Sequence, residues 1–259
     1  IMNSASDLNS LIIQHVEDAE LSKDGMINDG IIATKLGLQG IPVSAELLIL
    51  ERDLTLLEYN NCRYHISQIS SASSVEIIRE RKNKVNFSCG VSINNLSLNE
   101  NDIGDFKTFL KLSPPLRTED DRNALVQGLA DETINVIVSD HKPEDEENKR
   151  LTFAQAETGA SGIETLLPLS LELYHNGSVN LETIIKALTS SPAKILKINK
   201  GNLSIGNDAD FCIVDINKPW VVRKEKLISK SKNTPIEDKK LQGKVMNTFV
   251  NGEELFKAE

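Results

Sequence analysis

At 259 residues the chain can bury a sizeable core as one large or two ordinary domains, and its 39% hydrophobic and 26% charged residues are those of a globular protein. A net charge of −9 with no long basic stretch argues against nucleic acid or an anionic membrane as partner, while small anionic substrates stay open. Cys62, Cys89 and Cys212 form no CxxC pair, which fits a reducing, cytoplasmic compartment; no apolar run approaches the ~20 residues that cross a bilayer, and Ile1-Met2-Asn3-Ser4-Ala5-Ser6 is no signal peptide.

Residues 1–10 read as the tail of a helix leading directly into a strand over 11–15. Next comes a helix whose Leu47, Leu50, Leu54 and Leu57, spaced by three and four, form one apolar stripe. Further strands are expected at 62–66, 85–93, 108–112 (weaker) and 134–139. Ser73 with Glu76, Thr118 with Asp121 and Ser161 with Glu164 have capping-box spacing and predict three helix starts. Another helix covers about 181–189 and ends near Ser191-Pro192. Strands alternating with helices imply parallel pairing and right-handed crossovers. Only four or five such units fit, about half a closed barrel, and we expect the other strands to belong to sequence absent here.

The polar run 142–160 is expected to be an exposed loop over the end of the 134–139 strand. After about 195 the helical period stops. Phe211–Asp215 and Lys244–Val250 read as strands, and Asn251-Gly252 as the tight turn of a hairpin into Glu254-Leu255-Phe256. The chain therefore divides into residues 1–195, an α/β unit, and 196–259, a small β-rich domain.

Three of the four histidines, His15, His65 and His141, stand at or beside the ends of apolar runs that read as buried strands. Polar, metal-competent side chains at the carboxyl ends of successive strands are how a (β/α)8 TIM barrel builds an active site. A neutral His15 imidazole could bind a metal, although a core histidine bonded to a neighbouring loop is the commoner case for an isolated histidine. A carboxylate such as Asp140 at the end of a buried strand needs a metal, a cation or a polarised water, unless it caps the next segment. In a hydrolase it would move a proton from water to the leaving group. Lys111 and Arg117 flank Pro114-Pro115 and either contact an anion or pack at the surface. His175, before Asn176-Gly177, reads as helix-terminal, and Ser70–Ser74 as a helix cap. No Walker loop, GxGxxG or nucleophile elbow is present.

Several segments together carry a family resemblance. They are His15-Val16-Glu17-Asp18; Gly37–Pro42 with Ala45-Glu46; Tyr64–Ser70; Ser113–Arg117; Ser139-Asp140-His141; Gly162–Thr165; Gly206–Asp210; and Ser229–Pro235. The chain resembles the carboxyl-terminal part of dihydroorotase, in the amidohydrolase superfamily of metal-dependent barrels. That resemblance implies about the second half of a (β/α)8 TIM barrel with a small C-terminal β domain. It also implies zinc as cofactor and the interconversion of N-carbamoyl-L-aspartate and L-dihydroorotate in pyrimidine synthesis.

By position, His15 resembles a zinc ligand and Asp140 both a ligand and the catalytic acid/base, with Ser113, His141, Glu144 and Gly159 in substrate-binding positions. The pattern departs from the family at several points. The first-strand His-x-His pair and arginine and the fourth-strand carboxylate are not in these residues. Gln68 stands in place of a ligand His, Ile93-Asn94-Asn95 in place of Pro-His-His, Ser113 in place of Asn and Glu144 in place of a substrate-facing His. A bacterial sub-branch of dihydroorotase-like proteins has similar wording at Gln68-Ile69-Ser70 and Asn99–Gly104. Three functions follow as expectations. The first is a dihydroorotase with a reduced metal centre, the chain alone being inactive. The second is a non-catalytic partner of aspartate carbamoyltransferase or of an active dihydroorotase; the third is an amidohydrolase for another cyclic amide. A homodimer is compatible with any of them.

Overall fold

A computed structural model gives the fold for residues 1–258. A short helix, α1 (Met2–Asp7), runs into β1 (Leu11–Gln14), as the sequence predicts. Next, β2 (Ile27–Asn28), α2 (Ile31–Leu36) and β3 (Gly40–Ile41) form a small excursion in which β2 and β3 pair in parallel. Two-residue strands leave no alternation to read, so neither is marked in the pattern of residues. The chain continues through α3 (Val43–Glu58), β4 (Arg63–Ile69), α4 (Ala72–Arg81), β5 (Ser88–Ser92), α5 (Ile93–Ser97), α6 (Glu119–Ala130) and β6 (Val136–Val138).

Strands β1, β4, β5 and β6 form one parallel sheet in that order. Strands joined in sequence by helical crossovers make the arc of a (β/α)8 TIM barrel, and four of them are about half of one. Beyond the arc lie α7 (Glu146–Lys149), α8 (Leu166–His175), α9 (Leu181–Leu188) and α10 (Ser190–Leu196). An antiparallel sheet of β7 (Phe211–Val221), β8 (Lys240–Val250) and β9 (Glu253–Lys257) follows. The β8–β9 turn has φ of 52° at Asn251 and 81° at Gly252, the left-handed pair expected there.

The main core lies between the sheet and its helices. Leu50 and Leu54 of α3, Ile66 and Ile69 of β4, Val91 of β5 and Leu129 of α6 are fully buried. Each such side chain contributes about 1.5–3 kcal/mol by leaving water. Leu47 is only half-buried, and Ile49 takes its place in the α3 stripe. Val222, Leu227, Ile236 and Leu241 reach this same core from the carboxyl-terminal segment.

Three expectations on local structure need correction. Thr108–Leu110 is a single 3-10 turn, because Leu110 and Leu112 pack into a second cluster with Ile27, Leu116 and Phe153 and do not join the sheet. Helix α4 is capped by Ser71, whose hydroxyl accepts from the Ser74 N–H, and not by Ser73. Helix α8 starts only at Leu166, and Glu164 instead accepts the backbone N–H groups of Ile228 and Ser229. The Thr118–Asp121 capping box does form at α6.

Candidate functional site

The site begins with a defect in the pleat. Between Ile66 and Ile69 the β4–β5 register slips by one residue, a bulge at Ser67-Gln68. Gly90 on β5 permits it: a Cβ there would lie 2.3 Å from the Ser67 carbonyl oxygen. Tyr64 keeps its place on the helix side of the sheet, donating to Asp53 of α3 at 2.5 Å. A strict two-residue period would put Gln68 on that same helix side; the extra residue turns it to the opposite face. There Gln68 Nε2 reaches the Ser113 carbonyl at 3.3 Å and Asp140 Oδ1 at 3.4 Å.

The rim at the carboxyl ends of β1, β4, β5 and β6 therefore holds a connected set. Just past β1, His15 Nε2 lies 3.3 Å from Ser113 Oγ and 3.4 Å from Glu17 Oε2. Ser92, the last residue of β5, donates to Asp140 Oδ2 at 3.4 Å. The chain of contacts runs from Glu17 through His15, Ser113 and Gln68 to Asp140 and Ser92. His15 and Asp140, remote in sequence, share one rim through two intermediates. Asp140 has a φ of 47°, a left-handed conformation in which aspartate is one of the few tolerated residues.

Environment sets the charges. Burial pushes the Asp140 carboxyl above the usual carboxylate range, opposed by hydrogen bonds from Gln68 and Ser92. The bond to Glu17 raises the His15 imidazole against the effect of its own partial burial, and the same bond lowers Glu17. A half-buried carboxyl whose neutral form burial favours can accept or deliver a proton, and with the donors around it can bind the N–H and C=O edge of a planar amide.

His65 is not part of this rim. It lies in the first half of β4, bonded to Ser88 Oγ at 2.8 Å, and burial lowers its pKa. His141 follows Asp140, and its Nδ1 accepts the Gly162 N–H at 3.1 Å, which leaves any ring proton on Nε2. Gly159 has φ of +139°, and a Cβ on it would lie 2.7 Å from the Lys142 carbonyl oxygen. Its N–H donates to Lys111 O, and its carbonyl accepts from Asn233 Nδ2. Glu144 also faces Asn233, which accepts its backbone N–H at 3.4 Å, while its carboxylate lies 3.8 Å from Lys142 Nζ. These two residues line up with the 229–235 segment, beside a cavity of about 400 Å³ bounded by Phe109, Glu144, Lys230 and Asn233. Neither His15 nor Asp140 lines that cavity.

Lys111 and Arg117 are neither anion ligands nor surface residues. Lys111 Nζ donates to the Ala154 and Ala156 carbonyls. Arg117 donates to Ser70 Oγ, Asn28 Oδ1 and the Ile41 carbonyl. The run 142–160 is likewise not wholly solvated: Lys149 is buried, with Nζ on the Thr108 and Glu157 carbonyls. His175 ends α8, and its Nε2 lies 3.0 Å from the Ile216 carbonyl oxygen.

Sequence reasoning missed Ser92 and the engagement of Glu17. Ser92 lies one residue before the end of the strand predicted at 85–93, next to the one predicted at 134–139, and that adjacency was the available signal. Also missed was the buried network under the rim. Glu46 of α3 accepts the Ser70 and Ser71 N–H groups and the hydroxyls of Ser70, Ser71 and Ser74.

A sequence model of the amidohydrolase family matches residues 1–255. The chain belongs to the amidohydrolase family. Its relatives include the dihydroorotase of Ehrlichia canis, 40% identical over 259 residues, and that of Ehrlichia chaffeensis, 41% identical over 260. The alignments take in 99% and 100% of this chain but only 58% of either relative, so the chain spans little more than half their length. Among solved structures, the L-hydantoinase (dihydropyrimidinase) of Arthrobacter aurescens superposes with a TM-score of 0.89 at 25% identity. The dihydropyrimidinase of Brevibacillus agri does so with 0.87 at 20%. Each superposition covers 99% of this chain and 59% of the other. The half-barrel with its small C-terminal sheet is thus an amidohydrolase TIM-barrel fold, and the likeness in sequence is to dihydroorotases.

Zinc, which that likeness leads one to expect, takes three or four nitrogen, sulfur or oxygen donors. Among the described residues no group of three or more His, Cys, Asp or Glu is arranged to hold a metal ion. His15 and Asp140 are two donors, and Gln68 turns an N–H₂ group, which cannot ligate, toward Asp140. The described residues of this chain do not fit a zinc centre. No helix is long and apolar enough to cross a membrane among the described residues.

Proposed function

We propose that this chain is the barrel-closing part of a dihydroorotase-type cyclic amidohydrolase in which the ligand-binding rim persists and turnover is slow or lost. In this reading residues 1–195 supply the barrel half and 196–259 the small β-rich domain, in a cytoplasmic protein. The ligand is N-carbamoyl-L-aspartate or L-dihydroorotate. Asp140 exchanges a proton with the ring amide; Ser113 and His141 bind its polar edge, Gly159 keeps the loop close, and Glu144 borders the pocket with its charge offset by Lys142.

One observation supports the reading above others: His15, Ser113, Gln68 and Asp140 come from three strand ends and a loop and are joined by hydrogen bonds on one rim. Amide recognition needs donors and acceptors in fixed positions, and this set supplies both. The test is interconversion of carbamoyl-aspartate and dihydroorotate by the purified protein, against buffer and against Asp140→Asn. A slow rate that Asp140→Asn removes supports catalysis; a rate equal in both proteins refutes the role of Asp140.

A second reading has its own observation, the absence of a three-donor cluster among the described residues. In it the protein is a non-catalytic partner of aspartate carbamoyltransferase, or a homodimer with a structural role. Copurification with a transferase subunit, together with no turnover, would favour it.

A further inference from the structure

Deepening that reading of the rim, we infer that the Gln68 carboxamide takes the position a cation would occupy and is the positioning residue of Asp140, so that the His15–Asp140 rim is a hydrogen-bonded centre and not a metal centre. The argument starts from which end of the amide faces Asp140. Which end of a carboxamide faces its neighbours is decided by the donors and acceptors around it. Gln68 faces two acceptors, the Ser113 carbonyl at 3.3 Å and Asp140 Oδ1 at 3.4 Å. Turning the amide over would set three oxygens against one another in a buried place. Only the N–H₂ end fits.

A glutamine that ligates a metal does so through its oxygen. Here Oε1 is buried with no hydrogen-bond partner among the described residues, and the geometry of a carboxamide sends it away from the acceptor pair. The carboxylate is correspondingly occupied. Oδ1 takes the Gln68 amide and Oδ2 the Ser92 hydroxyl, so both oxygens that could bind an ion are held by neutral donors. On the other side, His15 Nε2 faces Glu17 and Ser113, not Asp140. Two neutral donors hold a carboxylate in place without a net positive charge, which a hydrogen-bonding ligand can exploit and a cation must displace.

The experiment is metal uptake by the purified protein, read by elemental analysis and by the visible absorption of added cobalt(II). The wild type and His15→Ala are expected to carry the same metal content. Gln68→His, which puts a ring nitrogen beside Asp140 on the rim that His15 shares, is expected to gain about one equivalent, with the intense visible band of a low-coordinate cobalt site. Gln68→Glu provides a second arm. It sets two carboxylates together, so its Tm is expected to fall without metal and to recover on adding zinc, while zinc leaves the wild-type Tm unchanged. A metal equivalent in the wild type that His15→Ala removes would overturn the inference. So would a Gln68→His protein that gains no metal, or a wild-type Tm that rises with zinc. These readouts do not involve dihydroorotate, so failure of the ligand assignment and failure of this inference are separable.

Discussion

Replacing Glu46 by alanine should be the most damaging single polar substitution in this chain. Glu46 is 3% exposed and accepts five donors, two backbone N–H groups and three hydroxyls. Alanine leaves the Ser70 and Ser71 N–H groups buried without acceptors, at about 1–3 kcal/mol each. The hydroxyls lose less, because Ser71 and Ser74 already bond each other at 2.9 Å. Arg117 loses the nearby charge that offsets its burial, which otherwise lowers its pKa. The total is about 3–5 kcal/mol, a large part of the stability of an ordinary domain. Urea unfolding followed by circular dichroism should show the midpoint falling by that energy divided by an unchanged slope. Glu46→Gln, which keeps one acceptor oxygen, should lose roughly half as much. The site should loosen as well, because Ser70 lies two residues beyond Gln68 and Arg117 four beyond Ser113. A loss below about 1 kcal/mol in Glu46→Ala would refute the claim that this carboxylate holds the rim together.

Other expectations are smaller. Thr118→Ala removes the hydroxyl that caps α6 and should cost about 1 kcal/mol in the same unfolding measurement; no change would mean the capping box is idle. Glu17→Gln should bring the His15 pKa down, seen as an earlier shift of the ring proton resonances as pH rises. In the wild type the Glu17 contact stabilises fully below the ordinary histidine pKa and fades as pH rises through the elevated folded value; a pKa unmoved by Glu17→Gln contradicts this. Lys149 titrates at about 8, lowered by burial. Its folded value lies below the unfolded one of about 10.4, so stability of the wild type relative to Lys149→Met should rise between those two pH values and be flat below them. A pH-independent difference between the two proteins would show that Lys149 keeps its ordinary pKa.

What the sequence made legible follows from which signals are local. The strand at β1, the helix stripe of Leu50, Leu54 and Leu57, and the Asn251-Gly252 hairpin each depend on residues within one or two turns of chain. Structure and sequence agree on them. The alternation of strands and helices pointed to about half a closed barrel, and the resemblance to dihydroorotases pointed the same way. The failures were of a different kind. The Thr108–Leu112 run is apolar because it fills a second core, and no period separates that from a weak strand. Lys111, Arg117 and Lys149 read as exposed because cations usually are; most of their partners are carbonyls and side chains more than 30 residues away in sequence, the Glu157 carbonyl on Lys149 being the near one. At the site, His15 and Asp140 were legible as strand-end residues, whereas the orientation of Gln68 depends on a bulge that leaves no mark in Tyr64–Ser70. His65 was misplaced for the converse reason: β4 continues past it to Ile69.

Calorimetric titration of L-dihydroorotate into the wild type and Asp140→Asn addresses the role of the rim most directly. Loss of a charged hydrogen-bonding group at a buried contact costs about 1.5–3 kcal/mol, which is a tenfold or greater rise in Kd. The account predicts saturable binding to the wild type, weakened at least about tenfold in Asp140→Asn. Equal affinity in the two proteins, or no binding to either, would contradict it.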